Sequence, residues 1–437
     1  MFKIFLNAWR VKDIRNKILF ILLLLLIYRF GVMIPLPGID LYKLYLVRTG
    51  GGEFAGGMAT TIFTLIAGGG VGSIFAMGIA PYITSSIIMQ LLTYAIPKLS
   101  QMQKEGEDGR KKIQQITRYL AVGLAALQGA GTVYGYALWP PGVGGLNLFR
   151  DGHQNLFVYA VATLAMITGT IFIMWLAELL TEKGIGNGAS FLIFANILAS
   201  LPNGINALLV LVTGDQMLSG AAQLAVILVI FIAIIAFVVR VHEGERRIPV
   251  QYAKKAGGRA AYGNHNSYVP LKVNIAGVLS IIFAISFLQF PLQIAQFFNP
   301  AEGSVLSRIV AFIDIGSISG AIIYVVLIFV FTHFYTSFAI NPVEMAQNMK
   351  NNGGFIPGIR PGKPTSDYIK ESVNKLAWIG ACFYSVIAIT PIVLEQVFSI
   401  PVGFGGTTLL IVIGVALEFV KQLESQLLMR HYKGFLD

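Results

Sequence analysis

Charge is what this chain has least of. Of its 437 residues only 32 are Lys or Arg and 21 are Asp or Glu, 12% in all, against about 25% in a soluble domain. A water-exposed surface built on so few charges would be largely apolar and would aggregate, so the ordinary soluble and disordered classes are excluded. Cysteine is nearly absent. The single Cys382 lies in an apolar run, which leaves neither a disulfide framework nor a cysteine-rich metal site. The histidines, His153, His242, His265, His333 and His431, are scattered. There is no GxxxxGK followed by Ser or Thr and no HExxH, and GIGNG at 184–188 lacks the GxGxxG spacing that phosphate or zinc chemistry would need. Serines near the glycines, such as Ser190, have no partnered histidine. Neither an enzyme nor a cofactor is expected.

What the chain has is apolar length. Hydrophobic residues make up 55%, and mostly apolar runs with at most one charge each, near the roughly 20 residues that cross hydrocarbon, fall at 18–34, 73–96, 113–134, 155–177, 186–206, 221–239, 270–289, 318–338, 374–394 and 405–420. The expected fold is an all-α integral membrane protein with ten transmembrane helices. Lys3, Arg10, Lys12, Arg15 and Lys17 ahead of the first run are signal-peptide-like. That run continues through Arg29 to Ile34 and into PLPG without a small-residue cleavage site, so it reads as a retained span. With the N-terminus cytoplasmic, 27 of the 32 basic residues lie on that side, while only Lys43, Arg48, Arg150 and Arg308 lie opposite and Arg29 lies within a span. This asymmetry places both termini in the cytoplasm.

Five spans per half put two similar halves in opposite orientation, the inverted-repeat plan of many channels and transporters. The expected halves are 1–205 and 206–437, with a hinge near Ser200 to Gly220. GIGNG before the fifth span and GFGG at 403–406 before the tenth occupy corresponding positions. One stretch, Gly56 to Gly72, is too short to span. It reads as a re-entrant helix leading into the second span or, alternatively, as an amphipathic helix on the outer surface. Within the spans the charged or histidine residues are Arg29, His333, Arg118 and Glu418, with Lys272 and Lys375 at the edges of the seventh and ninth. An ion-coupled solute transporter usually carries a midplane acid and no span here has one, which weakens that class against a passive channel, although backbone-only sodium sites keep it open. In the second span Ile79 and Ile83 are one turn apart on one face, with Pro81 between them as a site for a kink.

The motifs IPLPGID (34–40), SIFAMGIAPYITSSIIMQLL (73–92), KEGEDGRKKI (104–113), TEKGIGNG (181–188), ERRIPVQYAKK (245–255), PLKVNIAGV (270–278), NPVEMAQNMK (341–350), FIPGIRPG (355–362) and FGGTTLLIV (404–412) closely resemble the SecY family. They run in family order over nearly the whole chain. The resemblance implies a gated protein-conducting channel of the bacterial cytoplasmic membrane, driven by a partner ATPase or a ribosome. It implies a pore ring of Ile79, Ile83, Ala189, Ile193, Ile282 and Ile411, where Ala189 stands at a position that is isoleucine in many members. It implies a plug helix near 57–70 carrying Met58, Ile62, Phe63, Leu65 and Ile66. A lateral gate would lie between the second and third spans and the seventh and eighth. Hydrogen bonds among its Thr84, Gln128 and Asn274 would favour closure by about 0.6 kcal/mol each. The cytoplasmic loops 240–272 and 341–375 would dock the motor SecA or the ribosome through Arg246, Arg247, Lys254, Lys255, Arg259 and Arg360. The implied partners are SecE, SecG, SecA, the ribosome, signal-bearing polypeptides and anionic lipid. A SecY paralogue serving specialised substrates is a close variant of this reading.

Overall fold

The computed structural model describes residues 8–48, 70–137, 148–150, 155–213, 217–252, 267–297, 304–398 and 406–433. A helix stands at each of the ten expected spans: α1 (Lys12–Met33), α3 (Ala80–Ala95), α5 (Glu107–Ala137), α6 (Leu156–Lys183), α7 (Gly188–Thr213), α8 (Met217–Glu243), α9 (Leu279–Phe297), α11 (Ile318–Ala339), α13 (Lys363–Phe398) and α14 (Gly406–Lys433). Shorter helices α2 (Leu41–Arg48), α4 (Pro97–Lys104), α10 (Val305–Ile313) and α12 (Pro342–Asn351) lie in the connections. Among the described residues five helical stretches are long and apolar enough to cross a membrane, and Gly188–Pro202 and Leu279–Leu292 are shorter apolar helices.

Two spans begin later than expected, for one physical reason. Residues 73–79 are turns rather than helix, because Gly72 and Gly78 adopt φ of 66° and 52°, backbone that glycine adopts without steric cost. The Ile74 amide reaches across to the Ile34 carbonyl at 3.0 Å. Pro81 therefore does not kink a helix. It occupies the first turn of α3, where its missing N–H is no loss. In the seventh span Gly277 at φ 61° precedes α9, and residues 267–272 are strand. The hinge expected at 200–220 also narrows: α7 is helical to Thr213 with Pro202 inside it, and α8 starts at Met217.

The two loops expected to dock partners are one body. Strand β1 (Glu245–Tyr252) pairs antiparallel with β2 (Ser267–Lys272), and β3 (Gly354–Phe355) from the second loop pairs with β1 at Gln251 and Tyr252. Ile248 and Val250 alternate with exposed Arg247 and Pro249, the period-two pattern of a half-buried strand. They pack with Leu271, Met349, Ile356, Ile369, Val373 and Leu376 in a small core separate from that of the bundle.

Candidate pore, gate and docking surface

Ile79, Ile83, Ile193, Ile282 and Ile411 are buried members of one continuous apolar cluster, against which Ala189 packs. They come from α3 and the residue before it, α7, α9 and α14, the second and fifth spans of each expected half. In the structure α3 lies beside α9 and α7 beside α14, so both pairings cross between the halves. One local pattern recurs four times. Ile83, Ile193, Ile282 and Ile411 each lie five residues after a glycine at a helix entry, namely Gly78, Gly188, Gly277 and Gly406.

Glycine also seats two of these entries, those to α3 and α7. A Cβ on Gly188 would collide with the Ala177 carbonyl oxygen of α6, one on Gly169 with the Ile74 carbonyl oxygen, and one on Gly31 with the Phe75 ring. Phe75, four residues before Ile79, fills the notch at Gly31 and stacks between Tyr28 (ring centroids 5.9 Å apart) and Phe172 (5.8 Å). The Gly188 amide donates to Thr181 Oγ1 at 2.8 Å. The entries to α3 and α7 are thus seated by close approach at Gly31, Gly169 and Gly188, which a side chain there would prevent.

At the expected gate, α9 packs against both α3 and α5, so its two sides are in contact. Thr84 and Gln128 are buried. Thr84 Oγ1 donates to the Ala80 carbonyl at 3.0 Å, and the Asn274 amide nitrogen lies 2.6 Å from His242 Nδ1. The hydroxyl and the amide therefore have partners other than each other, contrary to the shared hydrogen bonds expected above. A threonine one turn into a helix reaches its own i−4 carbonyl more readily than a neighbouring helix, and Asn274 sits in the turn ahead of α9 rather than within the span. Sequence reasoning missed an aromatic contact across this boundary, Tyr94 of α3 against Phe334 of α11, edge to face at 5.6 Å. On one side α9 and α11 are joined by Phe283 and Phe287 against Phe331. On the other, Arg118 of α5 grips Glu178 of α6 bidentately, Nε donating to Oε1 at 2.7 Å and Nη2 lying 2.7 Å from Oε2. Arg29, the charge within the first span, donates to Asn196 Oδ1 of α7 at 3.4 Å.

On the sheet, Arg246, Arg247 and Arg360 are exposed. Arg247 Nε donates to Glu245 at 2.7 Å and its guanidinium lies 4.8 Å from the Tyr268 ring centroid. Arg360 tips a tight turn. Ile356 is buried below it, Gly358 and Gly362 take φ of 82° and 104°, and Thr365 Oγ1 donates to the Arg360 carbonyl at 2.9 Å. Nearby, hydrogen bonding from Lys375 at 2.7 Å holds the Glu371 carboxyl below its ordinary pKa. Met58, Ile62, Phe63, Leu65 and Ile66, and Lys254, Lys255 and Arg259, lie outside the described residues. No three His, Cys, Asp or Glu side chains converge among those described.

Comparison with known proteins decides the family. The SecY family model matches residues 73–420. The chain belongs to the SecY family. The protein translocase subunit SecY of Halalkalibacterium halodurans is 41% identical over 444 residues, and that of Streptomyces coelicolor 40% over 445, each alignment covering 100% of both chains. The SecY of Bacillus subtilis is 41% identical over 447 residues. Among solved structures, one described as the structure of a protein conducting channel has a TM-score of 0.63 at 19% identity, covering 93% of this chain and 90% of its own. Sec61 in the canine ribosome-channel complex from the endoplasmic reticulum has a TM-score of 0.61 at 18% identity, covering 93% and 90%. These neighbours share the fold.

Proposed function

We propose that this SecY-family chain is the channel subunit through which unfolded secretory polypeptides cross the bacterial cytoplasmic membrane, and from which membrane segments leave sideways between α3/α5 and α9/α11. One observation carries the reading: buried isoleucines of α3, α7, α9 and α14 belong to one apolar cluster, with α3 packed on α9 and α7 on α14, each of the four helices contributing an isoleucine five residues after a glycine. Such a constriction excludes ions by dewetting and offers a passing chain no hydrogen bonds to hold it. Residues 57–70 would plug it on the outer side, and the chain would divide functionally near the α7–α8 junction.

The energy would come from outside the subunit. The exposed Arg246, Arg247 and Arg360, with the further basic residues of the same loops, suit acidic protein surface or RNA phosphate through a salt-sensitive attraction. The two loops share one sheet, so force applied at Arg360 is delivered to a single body. SecA and the ribosome are the partners proposed for this surface, with SecE and SecG as membrane subunits and both termini cytoplasmic. A ribosome-bound Sec61 and a ribosome-bound yeast Ssh1 among the structural neighbours support the ribosome as one of these. The test is co-purification with SecA in mild detergent, followed by reconstitution. Stimulated ATP hydrolysis and uptake of a signal-bearing polypeptide are expected, and neither in the presence of SecE and SecG would overturn the proposal.

A further inference from the structure

Between α9 and α11 the chain lays down α10, nine residues long, on the membrane face opposite the three-stranded sheet, since it follows the seventh span and the sheet follows the sixth and eighth. The Ser304 hydroxyl caps it, accepting from the Ser307 amide at 3.1 Å. The Ser319 hydroxyl, in the first turn of α11, donates to the Phe312 carbonyl at 2.9 Å and ties the two helices together. Helical spacing sorts the α10 side chains into three arcs. Val310 and Ile313 pack against the central apolar cluster. Ser307 and Ala311 lie away from it. Between these arcs Val305, Ile309 and Phe312 form a second apolar strip, exposed at 75%, 48% and 59%. Exposed Arg308 borders the strip on the side of Ala311 and has no ion-pair partner among the described residues.

We propose that this strip is sunk into the phospholipid interface of that leaflet and that Arg308 binds a lipid headgroup phosphate. Continuity is the first argument. Ile318, Ile322, Val326 and Val330, four residues apart on α11 and all more than half exposed, make a stripe down a membrane span that faces lipid. The tie from Ser319 to Phe312 sets the α10 strip at the head of that stripe. Charge is the second. An arginine at the boundary between apolar and polar arcs lays its methylenes along the apolar side and lifts its guanidinium to the phosphate level. The arrangement, apolar strip, basic border and small polar face, is that of an interfacial helix. Because α10 touches both α9 and α11, it would hold the ends of those two spans at one depth while they move sideways.

The test uses the full chain in phosphatidylcholine and phosphatidylglycerol vesicles. With Cys382→Ala as background, single cysteines at Phe312→Cys, Ile309→Cys and Ser307→Cys carry an environment-sensitive fluorophore. Lipid brominated near the headgroup end of its acyl chains should quench the labels at 309 and 312 at least about twice as strongly as that at 307, and aqueous iodide should show the reverse order. Equal iodide quenching at all three positions would place the strip in water and overturn the proposal. Protection of 309 and 312 from both quenchers would mean that a protein covers it, and would overturn it equally. Adding Arg308→Gln should reduce lipid quenching at 312 by about half while Arg308→Lys preserves it, and no change with Arg308→Gln would sink the phosphate contact. Polypeptide transport does not enter these readouts, so they stand apart from the test of the proposed function.

Discussion

Around Ile79 and around Arg360 the chain solves the same problem, holding a short non-helical segment in one place, by opposite means. Residues 73–79 are held by removal of atoms: Gly31 makes room for the Phe75 ring and Gly169 admits the backbone of Ile74. The Arg360 turn is held by addition, with Ile356 and Ile248 filling a small core beneath a three-stranded sheet. Inside a membrane every polar backbone group must find a protein partner and apolar side chains gain little from leaving lipid, so close contact of backbones is the available cement. In a loop facing water, burying isoleucine and valine is favourable, and a strand ladder satisfies the backbone.

That comparison can be broken or sharpened by substitution. The largest effect is expected from Arg360→Glu, which should lower motor-driven transport by about tenfold or more by setting like charges against an acidic partner, with circular dichroism and membrane insertion of the chain unchanged; near-normal transport would remove Arg360 from the docking surface. Next is Gly169→Leu, which forces overpacking worth about 1–3 kcal/mol on the segment carrying Ile79. A rise in resting ion conductance of reconstituted vesicles is expected, and an unaltered conductance would mean that the seal does not depend on this seat. Comparable in size but confined to the loops, Ile356→Ala should cost about 2–4 kcal/mol. Faster amide exchange in 245–252 with the bundle unaffected would show that the two regions are separately stabilised, whereas faster exchange in α3 and α9 would join them.

Smaller effects probe the gate. Tyr94→Ala removes an aromatic pair worth about 0.5–1.5 kcal/mol and should reduce cross-linking between cysteines placed on α3 and α11; undiminished cross-linking would make the contact incidental. The smallest is Thr84→Ala. Its hydroxyl serves the Ala80 carbonyl of its own helix, so the same cross-link should change by less than twofold, about 0.4 kcal/mol.

Much of this was legible in the residues. A helix stands at each expected span because a lipid-facing helix must be apolar over its length, and of the isoleucines Ile79 and Ile83 were visible as a face while the other ring positions came from the family resemblance alone. Helix starts at Ala80 and Leu279 were missed because a hydropathy scan does not register Gly78 and Gly277 at positive φ. The sheet was missed because the alternation of Ile248 and Val250 with exposed Arg247 and Pro249 leaves no apolar run, and a search for apolar runs passes over it. Gly78, Gly188, Gly277 and Gly406, each five residues before an isoleucine, were in plain view and acquire meaning only once α3 is known to pack on α9 and α7 on α14.

By itself the sequence determined the membrane class, the number of spans, the sidedness expected from basic residues and the family motifs, since each depends on composition or on neighbours along the chain. Tertiary structure alone decided which distant groups meet. Arg118 found Glu178, Arg29 found Asn196 and Asn274 found His242 rather than Thr84. Those pairings depend on which helix faces lie side by side, and helix faces are brought together by glycine notches and ring stacking that no single segment specifies.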